Sequence, residues 1–303
     1  MELHLTTDPA AFLARAGAHL AADPVLGTVV ATVAERAVRD GNATPDDWYL
    51  TVCDGPDDTT GEGRVLGVAM RTAPFAPRPA YVLAMPDAAA RLAARACHER
   101  GEGLTQVNGA LAAARAWLEE TAELVGGPGG GPTAPTVQVR QHTRLFEARE
   151  VVDPRPVPGR LRTARLDEAE LVAAWYLAFH GDADEQAGRV RETDYSSHVR
   201  LDDVRHRIET GRVLLWEVDG RAVHVTGVNA PALGAARIGP VYTPPAERGR
   251  GFASVAVAEV SRRIIAVGAR PCLFTDQANP TSNAIYQALG YRPVVDMAEI
   301  ELV

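Results

Sequence analysis

The apolar positions of the second half of the chain alternate between two periods. Leu161 to Ala164 form a short strand-like run, and Leu171, Trp175 and Leu177 then recur at helical spacing, which predicts a helix over Asp167–Phe179. "HGDADEQAGRVRETDY" is polar and reads as a loop. "LDDVRHRIETG" reads as a helix closed by Gly211, and "RVLLWEVDGRAVHVTGVNA" as a hairpin turning at Asp219-Gly220. A strand, "ARIGPVYT", precedes a helix with apolar residues at Val255, Val260 and Ile264 and a glycine, Gly268, near its end. "PCLFTD" is a further strand. "NPTSNAIYQALG" is a helix with Asn279 as N-cap, Pro280 in the first turn and Gly290 as stop. "MAEIELV" closes the chain as a strand. The order β-α-α-β-β-β-α-β-α-β belongs to the mixed α/β (α+β) layer folds.

The first half repeats this order more faintly. "DWYLTVCDGPDDTTGEGRVLGVAMRTAP" parallels "GRVLLWEVDGRAVHVTGVNAP", and "RPAYVLAMPDAAARLAARACHERG" parallels "ARIGPVYTPPAERGRGFASVAVAE". "LTQVNGALAAARAWLEETAELVG" likewise parallels "LFTDQANPTSNAIYQALG". The expectation is two tandem copies of one fold, residues 1–152 and 157–303, divided at the proline-rich "DPRPVPGR". The glycine-rich stretch at 126–135 reads as a loose hairpin within the first copy.

Composition narrows the function. The chain of 303 residues is 46% hydrophobic, and no apolar run reaches the length that spans a bilayer. The first residues lack the basic start and apolar stretch of a signal peptide. Cys53, Cys97 and Cys272 are odd in number and far apart, as expected for a reducing cytoplasm without a disulfide frame or zinc site. None of the eight histidines has metal-ligand spacing, so no metal is expected. A net charge of −8 argues against a nucleic-acid partner. All 31 basic residues are arginine. The glycine-rich stretch is therefore no Walker loop, and a lysine nucleophile or Schiff base is excluded.

The chemistry concentrates in "VYTPPAERGRGFA", residues 241–253. Gly249 and Gly251 let successive backbone N–H groups turn inward, and the helix that follows aims its positive end at the same spot. Arg248 and Arg250 add charge-assisted donors. Such a place suits a pyrophosphate. The first copy has "DAAARLA" where the second has "ERGRGFA", and is expected to be non-catalytic.

Arg-x-x-Gly-x-Ala between a strand and a long helix resembles the acyl-CoA loop of the GNAT N-acetyltransferases. "FTDQANPTSNAIYQALGYRPV" is similar to the last strand–helix segment of that family. The resemblance covers residues 160–303 well and the first half as a degenerate copy. It implies acetyl-CoA as co-substrate and acetyl transfer to a primary amine. Val241, Tyr242 and Thr243 would line the pantetheine arm, the loop Arg248, Gly249, Arg250, Gly251, Phe252 and Ala253 would hold the pyrophosphate, and Asn283 would meet the pantetheine. Tyr286, three residues from Asn283 on the same helix face, would be the general acid. The strand carboxylate that many members use as base is missing from "ARIGPVYT"; a water chain, Asp276 or His224 remain open for that role. The polar stretch after the first helix, with Asp182, Asp184, Glu185, Glu192 and Asp194 against Arg189 and Arg191, either favours a cationic small-molecule amine or is a solvated face. A protein or peptide acceptor, and a non-catalytic acetyl-CoA sensor, are the alternative readings. The first half would cover the acceptor site, stabilise the second, or form a homodimer face.

Overall fold

The structure, a computed structural model, describes residues 1–55, 63–73, 78–127, 135–189 and 199–303. Most of the glycine-rich stretch, and Arg191, Glu192 and Asp194, lie outside these residues. The chain forms two compact units, Met1–Thr143 with Val295–Val303, and Arg144–Val294.

The first run of elements is β1 (Glu2–Thr6), α1 (Pro9–Ala22), α2 (Thr28–Asp40), β2 (Trp48–Cys53), β3 (Val65–Arg71), β4 (Ala80–Val82), α3 (Asp87–Glu99), β5 (Gln106–Ala110), α4 (Leu111–Gly126) and β6 (Val137–Glu147). The second is β7 (Arg160–Thr163), α5 (Ala169–Gln186), α6 (Leu201–Glu209), β8 (Val213–Val218), β9 (Arg221–Val228), β10 (Ala235–Tyr242), α7 (Phe252–Ala266), β11 (Arg270–Asp276), α8 (Pro280–Ala288) and β12 (Arg292–Leu302). Both runs have the same order, so the tandem repeat read from the sequence is present in the fold.

The last strand of each run leaves its own repeat. In the first unit the strand order is β1-β2-β3-β4-β5-β12, and Met297–Glu301 of β12 pair antiparallel with Ala110–Gln106 of β5. In the second unit the order is β7-β8-β9-β10-β11, with the Arg144–Glu147 end of β6 beside β11. The division therefore differs from one at residues 152–157. It falls at Thr143, and residues 295–303 return to the first unit because their backbone pairs with β5.

Alternation along the second unit's strands sets its two faces. Leu214 and Trp216 face α7 and α8, where Phe252, Val257, Leu289 and Tyr291 are buried. Val213 and Leu215 face α5 and α6, against Val172, Tyr176 and Ile208. The hairpin turn is as expected, with Asp219 at φ +49° and Gly220 at φ +78°, the left-handed pair that matches strand twist.

Helix α5 is longer than its apolar pattern predicts. The expected end at Phe179 is overturned, because Gly181 stays helical and buried. The stop is Gly188 at φ +70°, where the Gly188 N–H donates to Glu185 (3.1 Å) and the Arg189 N–H to Asp184 (2.9 Å). Asp182, Asp184 and Glu185 thus sit on a helix and not in a loop.

The entry to α5 is fastened by charge. Both terminal nitrogens of Arg162 donate to Glu168, each at 2.7 Å, and the Arg165 N–H donates to the same carboxylate at 2.8 Å. Hydrogen bonding from Arg162 comes first among the causes that hold the Glu168 carboxyl below its ordinary value of 4.5. A depressed carboxyl stabilises the fold above its unfolded pKa and loses that contribution as pH falls through the folded one. Glu168→Gln is expected to cost ~2 kcal/mol near neutrality. Thermal melts of both proteins should converge as the pH falls below about 4.

Candidate functional site

Strands β10 and β11 begin as a parallel pair and then part. Ala235, Ala236 and Arg237 pair with Arg270, Pro271 and Cys272; among the described residues no pairing joins the strands beyond that point. Beyond it β10 pairs with β9 alone, through a bulge between Ile238 and Val241. The facing edges of the two strands are thereby left open as a cleft. Val241 packs toward the α7 face and Tyr242 toward the α5 face.

The loop read as an anion site lies at the N-terminus of α7. Gly249 has φ +74° and Gly251, its N-cap, φ +83°, backbone that other residues adopt only with strain. The first helical bond runs from the Val255 N–H to Gly251, so the N–H groups of Phe252, Ala253 and Ser254 have no partner within the helix. Phe252 is buried and anchors the turn. The arginines are already engaged by protein. Arg250 pairs with Glu247 and lies over the Phe252 ring, 4.9 Å from its centre. Arg248 donates from Nε to the Thr243 carbonyl (2.9 Å) and from Nη2 to Asp182 (2.5 Å). Asp182 also accepts from the Tyr242 hydroxyl at 2.9 Å.

On the other side of the cleft, Asn279 caps α8 as expected by accepting from the Ser282 N–H (3.0 Å). Asn283 builds the turn before that helix. Its Nδ2 donates to the carbonyls of Asp276 (3.0 Å) and Asn279 (2.8 Å), and its Oδ1 accepts from Thr275 at 2.5 Å.

Tyr286 and Tyr291 pack edge to face with centres 6.0 Å apart. Their hydroxyls differ. That of Tyr291 bonds Ser261 at 2.6 Å, whereas among the described residues that of Tyr286 makes no hydrogen bond. Burial raises the Tyr286 phenol well above its ordinary pKa of 10, which keeps its proton in place at neutral pH.

Neither candidate base is free. His224 is fully buried between Thr243 (Nδ1, 2.7 Å) and Thr226 (Nε2, 2.7 Å), and burial lowers its pKa to about 3. It is a neutral strut beneath the end of β10. Asp276 is held by Arg189 at 2.5 Å and caps the Ala278 N–H at 2.8 Å. Among the described residues no group of three or more His, Cys, Asp or Glu side chains could hold a metal, and no helix is long and apolar enough to cross a membrane.

The equivalent place in the first unit has no such cleft. Strand β4 pairs with β5 along its whole length, Ala80–Val82 against Val107–Gly109. Gly109 sits so close to β4 that a Cβ there would lie 1.9 Å from the Val82 carbonyl oxygen. Helix α3 starts at Asp87, with Pro86 at its N-cap position in place of a glycine turn.

No curated protein matches the chain. The family model described as FR47-like protein matches residues 229–299, which cover β10, α7, β11, α8 and most of β12. A GNAT-family acetyltransferase from Colwellia psychrerythraea is similar over 100% of this chain and 99% of its own, at TM-score 0.53 and 8% identity. A GCN5-related N-acetyltransferase from Sphaerobacter thermophilus is similar over 99% and 95%, at 0.54 and 14%. A tandem GNAT protein from the clavulanic acid biosynthesis pathway is similar over 100% and 98%, at 0.56 and 16%. The chain carries the GNAT acetyltransferase fold in tandem, and the FR47-like match falls on the repeat that has the open cleft and the glycine turn.

Proposed function

We propose that the second unit binds acetyl-CoA in the cleft between β10 and β11 and transfers its acetyl group to a primary amine of a small molecule. The observation that carries this reading is that the second unit combines three features. They are a parted strand pair, a glycine turn with free N–H groups at the start of α7, and a protonated tyrosine without a hydrogen-bond partner among the described residues. The N–H groups of residues 249–254 would hold the pyrophosphate. Unpaired backbone of β10 would hold the pantetheine, and a β10 N–H near the bulge would polarise the thioester oxygen. The amine nitrogen forms the new bond to the acetyl carbon as the carbon–sulfur bond breaks. Tyr286 gives its proton to the departing sulfur, and the proton released by the amine passes to water and through it back to Tyr286, since His224 and Asp276 are committed elsewhere. The first unit, with its strand pair closed, would not turn over.

The test is thiol release from acetyl-CoA across aminoglycosides, polyamines, amino acids and peptides. Release with one small-amine class is the expected result. Release with peptides alone would move the acceptor to protein. Tight acetyl-CoA binding without release would favour a sensor, a reading that the missing strand carboxylate already suggests.

A further inference from the structure

Asp182 lies outside the loop motif and outside the last strand–helix segment, yet it touches both the strand and the loop proposed to hold the cofactor. Its carboxylate accepts from the Tyr242 hydroxyl at the end of β10 and from Nη2 of Arg248 at 2.5 Å. The Arg248 side chain is fixed at three points: Thr243 on Nε, Asp182 on Nη2, and the Tyr242 ring 5.8 Å beneath the guanidinium carbon. Nε and the near hydrogen of Nη2 occupy one edge of the planar group. The other edge, with Nη1 and the second Nη2 hydrogen, makes no hydrogen bond among the described residues. That edge is the fork that matches two phosphate oxygens.

The support is itself held in place. The end of α5 carries Asp182, and it is tied to the far lip of the cleft by two further contacts. Gln186 accepts from Asn279 at 2.9 Å, and Arg189 pairs with both Asp276 (2.5 Å) and Asp184 (2.9 Å). Asp182 is therefore a fixed acceptor and not a loose surface carboxylate; its side chain is 17% exposed.

We infer that Asp182 is a positioning residue for the cofactor loop, holding one edge of Arg248 so that the opposite edge faces the pyrophosphate. The inference rests on the acetyl-CoA reading of the cleft. It predicts that this helix carboxylate sets the affinity for a cofactor that it never touches.

The experiment is calorimetric titration of CoA into the full chain and into Asp182→Asn, Asp182→Glu, Arg248→Ala and the Asn/Ala double variant. Asp182→Asn is expected to weaken CoA about tenfold, the size of one charge-assisted hydrogen bond. The double variant should bind as Arg248→Ala does, and Asp182→Glu should recover part of the loss. Unchanged or tighter binding by Asp182→Asn overturns the inference, as do losses that add in the double variant, which would mark general damage to the fold. If the unaltered chain does not bind CoA, the cofactor reading falls and this inference with it. If it binds and Asp182→Asn is silent, only the inference falls.

Discussion

Tyr286→Phe is expected to lower turnover by about 10²-fold while leaving CoA affinity within about twofold. The change removes one oxygen and nothing else. The ring keeps its packing against Tyr291, and among the described residues no partner is stranded by the loss of the hydroxyl. Stability should accordingly hold. Tyr291→Phe is the matched control: it removes a hydroxyl that bonds Ser261, so it should cost ~1 kcal/mol of stability and leave turnover intact. The buried phenol also has a pH consequence. Because burial raises its pKa, it stays protonated and competent on the alkaline side, so no loss of rate traceable to Tyr286 should appear below about pH 10. The checks are kcat for each variant with the amine that the panel identifies, and CoA titration. Full turnover by Tyr286→Phe would remove it from the mechanism.

Much of this site is legible in the sequence because backbone chemistry wrote it there. Gly249 and Gly251 stand where φ is positive, Asn279 stands where a helix needs a cap, and Asp219-Gly220 stands where a hairpin needs a left-handed turn. The repeat is legible too, since each copy must bury its own faces with the same periods. Three things were hidden. The apolar pattern of helix α5 ends at Phe179, and the polar stretch that follows, with Gly181 in it, looks like a loop although it stays helical. Gly188 was the true stop. Asp182 and Gln186 lie in that polar stretch, and their partners Arg248 and Asn279 are far along the chain, so no local pattern marks these contacts. The commitments of His224 and Asp276 were also hidden, since pairing partners lie far along the chain. The closed β4–β5 pair in the first copy had only a faint signal, Gly109, whose missing side chain lets the strands touch.

Ile300→Ala should destabilise the first unit, by ~3 kcal/mol, although residue 300 lies at the end of the second repeat. The reason is the exchange of last strands. Ile300 is buried, and its backbone pairs with Val107 of β5, itself fully buried. Met297 and Ala298 are buried alongside. Hydrogen exchange should therefore quicken over residues 1–143 and stay slow over 144–294. Phe146→Ala is the mirror case. Phe146 comes at the end of the first repeat, yet it is fully buried in the cluster with Phe252 and Leu273, so its loss should loosen the second unit. A pair of consecutive, self-contained repeats would give the opposite assignment in both variants, with Ile300→Ala felt in 157–303 and Phe146→Ala in 1–152. The exchange also bears on truncation. Removing residues 295–303 should leave the cleft, the glycine turn and Tyr286 in a unit that keeps its own sheet, while β5 of the other unit loses a neighbour and exposes its edge.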